Sequence, residues 1–275
     1  MRLSRSLQAA LWATLSLAVA TPAPAAEARI IVLASTTSVE NSGLLARILP
    51  RFTTETGIEV RVIAQGTGQA LATAAHGDAD LVLVHDPDAE AAFIAAGHGA
   101  GRTEIAWNDF IIVGPASDPA HVAGGRDANS ALRAIAAARA PFVSRGDKSG
   151  TDAMEKRLWR AAGIEPSGDW YRDIGGGMGA ALNAAAAMRA YTLSDRGTWL
   201  SYGHGAEMRI ALEGDPRLLN RYDVIMLDPR THPHAKQAPA RRLAEWLSST
   251  EGQAAIAGYT VAGQTLFHPE ADPKP

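Results

Sequence analysis

The chain has 275 residues, 47% hydrophobic and 20% charged, a balance that excludes a disordered or fibrous chain and allows one large or two ordinary domains. Its 26 basic and 29 acidic residues give a net charge of −3, which argues against nucleic acid as a partner. Cysteine is absent, so neither a disulfide nor an N-terminal cysteine lipid anchor is available.

Arg2 and Arg5 precede the apolar run LQAALWATLSLAVA, and TPAPAA follows. A charged start, a short apolar stretch and small residues predict a signal peptide over residues 1–25, with Ala23-Pro24-Ala25 as its cleavage motif. The run is too short for a membrane span. The expectation is an exported, soluble periplasmic protein without a lipid anchor. Without Arg2 and Arg5 the count is 24 basic against 29 acidic residues, so any anion site has to be local.

Residues 29–38, RIIVLASTTS, form a continuous apolar run ending in hydroxyls, the pattern of a parallel strand buried on both faces. Leu44, Leu45, Ile48 and Phe52 then recur at helical spacing up to Gly57. A second strand is predicted over 58–64, breaking at Gly66-Thr67-Gly68 into a helix, and a third over 79–87, followed by a short helix. Residues 103–115 are a long apolar stretch, predicted as a strand that travels a distance. An alanine-rich helix at 130–140 leads to the strand and helix of PFVSRGDKSGTDAMEKRLWRAAG. A glycine loop at 175–179, a helix, a strand at 190–193 and another helix come next. Residues 220–229 form a second long run, and helices at about 238–248 and 251–258 close the pattern. Strand–helix alternation predicts an α/β fold with parallel pairings, in which ligands sit beyond the carboxyl ends of strands.

Three strand ends carry hydroxyls and run into helices: 35–38, 66–69 and 144–151. The loop at 175–179 precedes a fourth helix. A helix start offers unpaired N–H groups and the positive end of its dipole, which suits an anion. The same residue types also cap helices and make turns, so a single such loop decides nothing. With three or four in one chain, an anion site stands beside plain capping as an equal reading. In PFVSRGDKSGTD, Arg145 stands among Ser144, Ser149 and Thr151. The segment is not a P-loop, because Lys148 precedes its glycine instead of following it.

The segments ASTTSVENSGLLARILPRF, VIAQGTGQALATAAHGDADLVLVHDP, NDFIIVGP, PFVSRGDKSGTD, GMG, AYTLSDRGTWL and EGDPRLLNRYDVIMLDP resemble, in order and spacing, those of tungstate-binding proteins of bacterial ABC importers. The resemblance covers residues 30–269. It implies a type II periplasmic binding fold, with two α/β lobes joined by two crossing strands and the ligand cleft between them. Residues 26–110 plus 224–275 would form lobe one and 111–223 lobe two. The resemblance also implies a monomeric, non-enzymatic receptor that delivers tungstate to an ABC permease in the inner membrane. No cofactor is implied, and no metal apart from the oxyanion.

The family's threonine-rich strand end falls on Ser35, Thr36, Thr37 and Ser38, with serine in place of the first threonine. Its Gly-Thr-Gly loop falls on Gly66, Thr67 and Gly68, its binding arginine on Arg145, and its threonine on Thr151, with Ser149 alongside. Ser35 and Gly66 are secondary candidates, as are Gly177 and Gly179 of the fourth loop. A histidine often follows the threonine in the family; this chain has Asp152, expected to face outward as an early helix acid.

Tungstate and molybdate are tetrahedral dianions with four acceptor oxygens, so a selective site offers donors only: hydroxyls, backbone N–H and arginine. Residue types leave molybdate open as the ligand, then sulfate or phosphate. An enzyme acting on an anionic substrate is the alternative from another class. Ser149, Asp152 and His85 can be drawn as a triad, but no G-x-S-x-G elbow accompanies them. His85 otherwise reads as a strand-end turn residue, and His232 and His234 as a surface turn. Asp109, Asp195 and Glu213 read as lobe-contact or hinge acids, and Trp107, Trp159, Trp170, Trp199 and Trp246 as packing.

Overall fold

A computed structural model of the chain describes residues 30–203, 207–261 and 263–274. The expected signal segment lies outside the described residues. Lobe one opens with β1 (Ile30–Thr36), α1 (Thr37–Asn41), α2 (Leu44–Thr56), β2 (Glu59–Gln65), α3 (Thr67–Ala75), β3 (Leu81–Val84) and α4 (Pro87–Ala95). β1 pairs in parallel with β2 on one side and β3 on the other. All four residues of β3 are buried, because helices cover both faces of the sheet. α2 places Leu44, Leu45, Ile48 and Phe52 in the core; burying each contributes about 1.5–3 kcal/mol. It stops at Gly57, whose φ of 72° is the left-handed helix end that glycine adopts without strain.

The long run expected to travel does so. β4 (Gly99–Pro115) pairs antiparallel with β9 (Leu219–Leu227) from Gly99 to Asp109. From Phe110 onward it changes partners, to β7 (Thr192–Asp195) and β8 (Met208–Leu212). The lobe-one sheet has the order β4-β9-β3-β1-β2. Ile105, Ala106 and Tyr222 pack into its core, whereas Phe110, Ile112 and Leu218 pack into the core of lobe two. Lobe two contains α5 (Ala128–Ala137), β5 (Phe142–Ser144), α6 (Gly150–Ala161), β6 (Tyr171–Asp173), α7 (Met178–Met188) and α8 (Arg196–Ser201) besides β7 and β8. α9 (Gln237–Ser248) and α10 (Thr250–Ala257) return to cover lobe one.

β6 and β8 are not anticipated by the sequence pattern. They are three and five residues long, too short for a periodicity to declare itself, and they exist through pairing with β5 and β4. The serine-rich end of β1 is also shorter than expected: Thr37 and Ser38 already belong to α1. Among the described residues no helix is long and apolar enough to cross a membrane.

Candidate functional site

The strand ends and helix starts meet at a seam between the lobes. β1 ends at Thr36, which caps α1 by accepting a 3.2 Å bond from the Val39 N–H. Just past β3, His85 places its Nε2 3.2 Å from Thr36 Oγ1 and its Nδ1 3.0 Å from Asn220 Oδ1. α6 of lobe two begins opposite, at Gly150. A Cβ on Gly150 would stand 3.2 Å from His85 Cε1 and 3.4 Å from Thr67 Oγ1, so any side chain there would press on lobe one. Thr36, Thr67, His85, Arg145 and Thr151 are all buried, while Thr37 is exposed and Ser38 half-buried.

Arg145 follows β5 directly. Its carbonyl accepts from the Gly176 N–H at 3.0 Å, tying the fourth loop to the third. Its Nε and Nη2 both donate to Asp147 Oδ2, at 3.1 and 2.5 Å. Asp147 Oδ1 accepts from the Ser149 N–H at 3.1 Å. Burial pushes the Asp147 carboxyl up, but the bonds from Ser149 and Arg145 outweigh it and hold it below the ordinary aspartate range. This carboxylate therefore acts inside lobe two, orienting Arg145. Three of the five guanidinium N–H donors remain for another acceptor.

The four helix starts differ in their caps. Thr36 caps α1, and Ser149 caps α6 by accepting from the Asp152 N–H at 3.3 Å. α3 and α7 begin at Gly66 and Gly177 without a side-chain cap. Their first N–H groups are thus left for solvent or a ligand, at the positive ends of two helix dipoles. A capping hydroxyl accepts through a lone pair and keeps its own proton to donate.

Some expected residues sit differently. Ser35 is fully buried and its hydroxyl donates to the Leu83 carbonyl at 2.9 Å, so it staples β1 to β3 instead of facing the cleft. Asp152 is not an outward-facing acid. It is 2% exposed, and its Oδ2 accepts from the Lys148 N–H at 3.2 Å and from Lys156 Nζ at 2.8 Å. A lysine one turn along the helix supplies the charge that lets it turn inward. The segment carrying His232 and His234 is a turn, as expected, and His234 is exposed, but the His232 side chain is buried and lies 3.1 Å from His98. The drawn triad does not assemble, because Ser149 caps Asp152 and both His85 nitrogens are engaged elsewhere.

A buried polar network in the crossing strands escapes the sequence reading. Asn220 Nδ2 donates to Asn108 Oδ1 at 2.8 Å and to the Tyr222 hydroxyl at 2.7 Å, and that hydroxyl lies 3.2 Å from Asn108 Oδ1. The signal was present as two asparagines inside runs that otherwise read as buried strand, since a buried amide needs a partner. Burial holds the His85 imidazole below its ordinary range. Arg145 acts in the same direction, against the Asn220 bond and the Asp195 and Asp86 carboxylates.

Residues 21–251 match the model of the PBP superfamily domain. The tungstate-binding protein TupA of Peptoclostridium acidaminophilum is 44% identical over 245 residues, covering 88% of this chain and 86% of that protein. This chain belongs to the PBP superfamily, in the TupA family. The solved tungstate-binding protein TupA from Desulfovibrio alaskensis G20 has a TM-score of 0.82 at 43% identity, over 89% of this chain and 100% of that one. The tungstate ABC transporter structure from Geobacter sulfurreducens has a TM-score of 0.75 at 42% identity, over 84% and 98%. The TupA likeness thus takes in both lobes and the seam between them, not one lobe alone.

Proposed function

We propose that this chain captures tungstate between its lobes and delivers it to an ABC permease in the inner membrane. It does so as a monomeric periplasmic receptor, exported by the segment over residues 1–25 and not lipid-anchored. The observation that carries this reading is the meeting of donor groups at the seam. Thr36 and Thr67 come from lobe one, and Arg145 and the Ser149–Thr151 helix start from lobe two. The uncapped starts of α3 and α7 add backbone N–H groups. Four acceptor oxygens of a dianion fit such a set, and the TupA proteins similar to this chain are named for tungstate. Thr37 and Ser38 stand at the rim, and Gly66, Gly177 and Gly179 contribute through their backbone. No cofactor is required, because a receptor needs only to bind. Catalysis is not part of this reading, since His85, the one histidine at the seam among the described residues, has both nitrogens committed.

Titration calorimetry with tungstate, molybdate, sulfate and phosphate tests the proposal. Tungstate should bind one to one and most tightly. Sulfate should bind weakly or not at all, because its shorter bonds leave donors unmet at about 1–3 kcal/mol each. Absence of tungstate binding sinks the reading. Tighter binding of molybdate than of tungstate replaces the ligand and keeps the class.

A further inference from the structure

We infer that His85 belongs to the oxyanion site, and that capture of the dianion is coupled to uptake of one proton by its imidazole. The inference rests on the receptor reading above and concerns the same seam. It begins with the direction of each hydrogen bond. Asn220 spends its Nδ2 on Asn108 and Tyr222 and turns its Oδ1 to His85. An amide oxygen only accepts, so His85 Nδ1 carries hydrogen. In the neutral ring Nε2 is then an acceptor, and the Thr36 hydroxyl, 3.2 Å away, must donate to it. That hydroxyl has one proton. With His85 neutral, the proton goes to the ring, and Thr36 presents only a lone pair to an anion.

Protonation reverses this. Nε2–H donates to Thr36 Oγ1, which also accepts from the Val39 N–H at 3.2 Å. Both lone pairs are then used and the hydroxyl proton is released toward the ligand. The imidazolium, Thr36 and the anion form one chain of donors, and the ring adds a positive charge to the site. The proton comes from solvent and no bond other than N–H is made.

The surroundings keep the ring neutral until an anion arrives. His85 is 5% exposed. Arg145 faces it from lobe two, while Asp86 and Asp195 face it with the opposite sign. Tyr222 lies against it with ring centroids 5.0 Å apart, and burial raises that phenol's pKa, so it stays neutral. Arg157, Arg217 and Arg221 line a cavity of about 230 Å³ together with His85. Thr67 and Gly150 bring no charge. A dianion held by Thr36 and Arg145 cancels the arginine's effect and places negative charge near the ring, which favours the imidazolium.

The experiment is calorimetry of tungstate binding to the full chain near neutral pH, in two buffers of different ionisation enthalpy, which counts protons taken up. Wild type should take up close to one proton per tungstate, and its affinity should fall by up to about tenfold per pH unit above neutrality. His85→Gln should bind tungstate with no uptake and a flat pH profile, while His98→Gln should behave as wild type. If His85→Gln does not fold, wild-type histidine ring signals in NMR decide. The imidazole assigned to His85 by sequential resonance assignment must become protonated on adding tungstate. Tungstate binding without proton uptake, or with equal uptake in His85→Gln, overturns the inference and leaves the receptor reading standing. Failure of wild type to bind tungstate overturns both.

Discussion

The two sides of the cleft solve the same problem with different chemistry. Lobe one brings neutral donors: Thr36, Thr67 and the uncapped start of α3. The Thr36 hydroxyl is set by a neutral network running from His85 through Asn220 to Asn108 and Tyr222. Lobe two brings charge. Arg145 is held by Asp147, Asp152 by Lys156, and Glu155 of α6 lies buried between Trp159 of the same helix and Tyr171 of β6. The contrast has a physical reason. A cation on both sides would repel across an empty cleft, whereas one cation facing neutral dipoles leaves the lobes free to approach. On the proposed reading, lobe two supplies most of the affinity and lobe one sets the geometry.

The largest effect that can break this comparison lies in the charged half. Burial pushes the Glu155 carboxyl up to about 7, against bonds from Tyr171 and Trp159. A raised folded pKa means the native state holds this proton longer than the unfolded chain. Stability is therefore lost as pH rises through the window from about 4.5 to about 7. Glu155→Gln should shrink the difference in unfolding free energy between the two ends of that window by on the order of 3 kcal/mol. Denaturant melts across the window check this, and an unchanged pH slope would remove Glu155 from the account.

Next in size is Arg145→Ala, which should weaken tungstate binding at least tenfold, since charge-assisted bonds are worth about 1.5–3 kcal/mol. Arg145→Lys should recover only part of this, because the fork that both grips Asp147 and reaches outward is gone. Calorimetric dissociation constants equal to wild type would move the charge of the site elsewhere. In lobe one, Thr67→Val should cost less, about 0.5–1.5 kcal/mol, as expected for one neutral hydrogen bond.

Smaller still is the bridge between the halves. Arg157 on α6 donates to Asp86 at 3.2 Å and lies 3.5 Å from Asp88, both at the start of α4. Arg157→Ala should lower affinity only a few-fold, because a partly exposed pair is worth about 0–1 kcal/mol. Small-angle scattering without ligand should show a larger radius than wild type. The smallest effect on binding is expected at Ser35. Ser35→Ala removes the bond to Leu83 and should cost about 1 kcal/mol of stability while leaving tungstate affinity unchanged. A loss of affinity there would return Ser35 to the cleft.

The same contrast explains what was legible in the sequence. The parallel strands β1 and β3 were readable because burial on both faces writes a continuous apolar run. The travelling strand β4 was readable from its length. The helix starts that meet at the seam were readable from their glycine and hydroxyl residues, which cap helices and make turns. Orientation was not legible. Ser35 and Thr36 are adjacent and chemically alike, yet the pleat sends one to Leu83 and the other to His85. The inward turn of Asp152 is not legible either, because its burial depends on packing and not on local pattern, with Lys156 four residues on as its partner. The role of His85 depends on Asn220, 135 residues away, which no local spacing could reveal.

The central claim is that one oxyanion is held by donors from both lobes at once. Crystals grown with tungstate and measured at a tungsten absorption edge test it most directly, since anomalous scattering locates the metal without interpretation of the protein. The account predicts a single strong peak within hydrogen-bonding reach, through its oxygens, of Thr36 or Thr67 on one side and Arg145 and the Ser149–Thr151 segment on the other. A peak contacting only one lobe, or lying outside the seam, would contradict it.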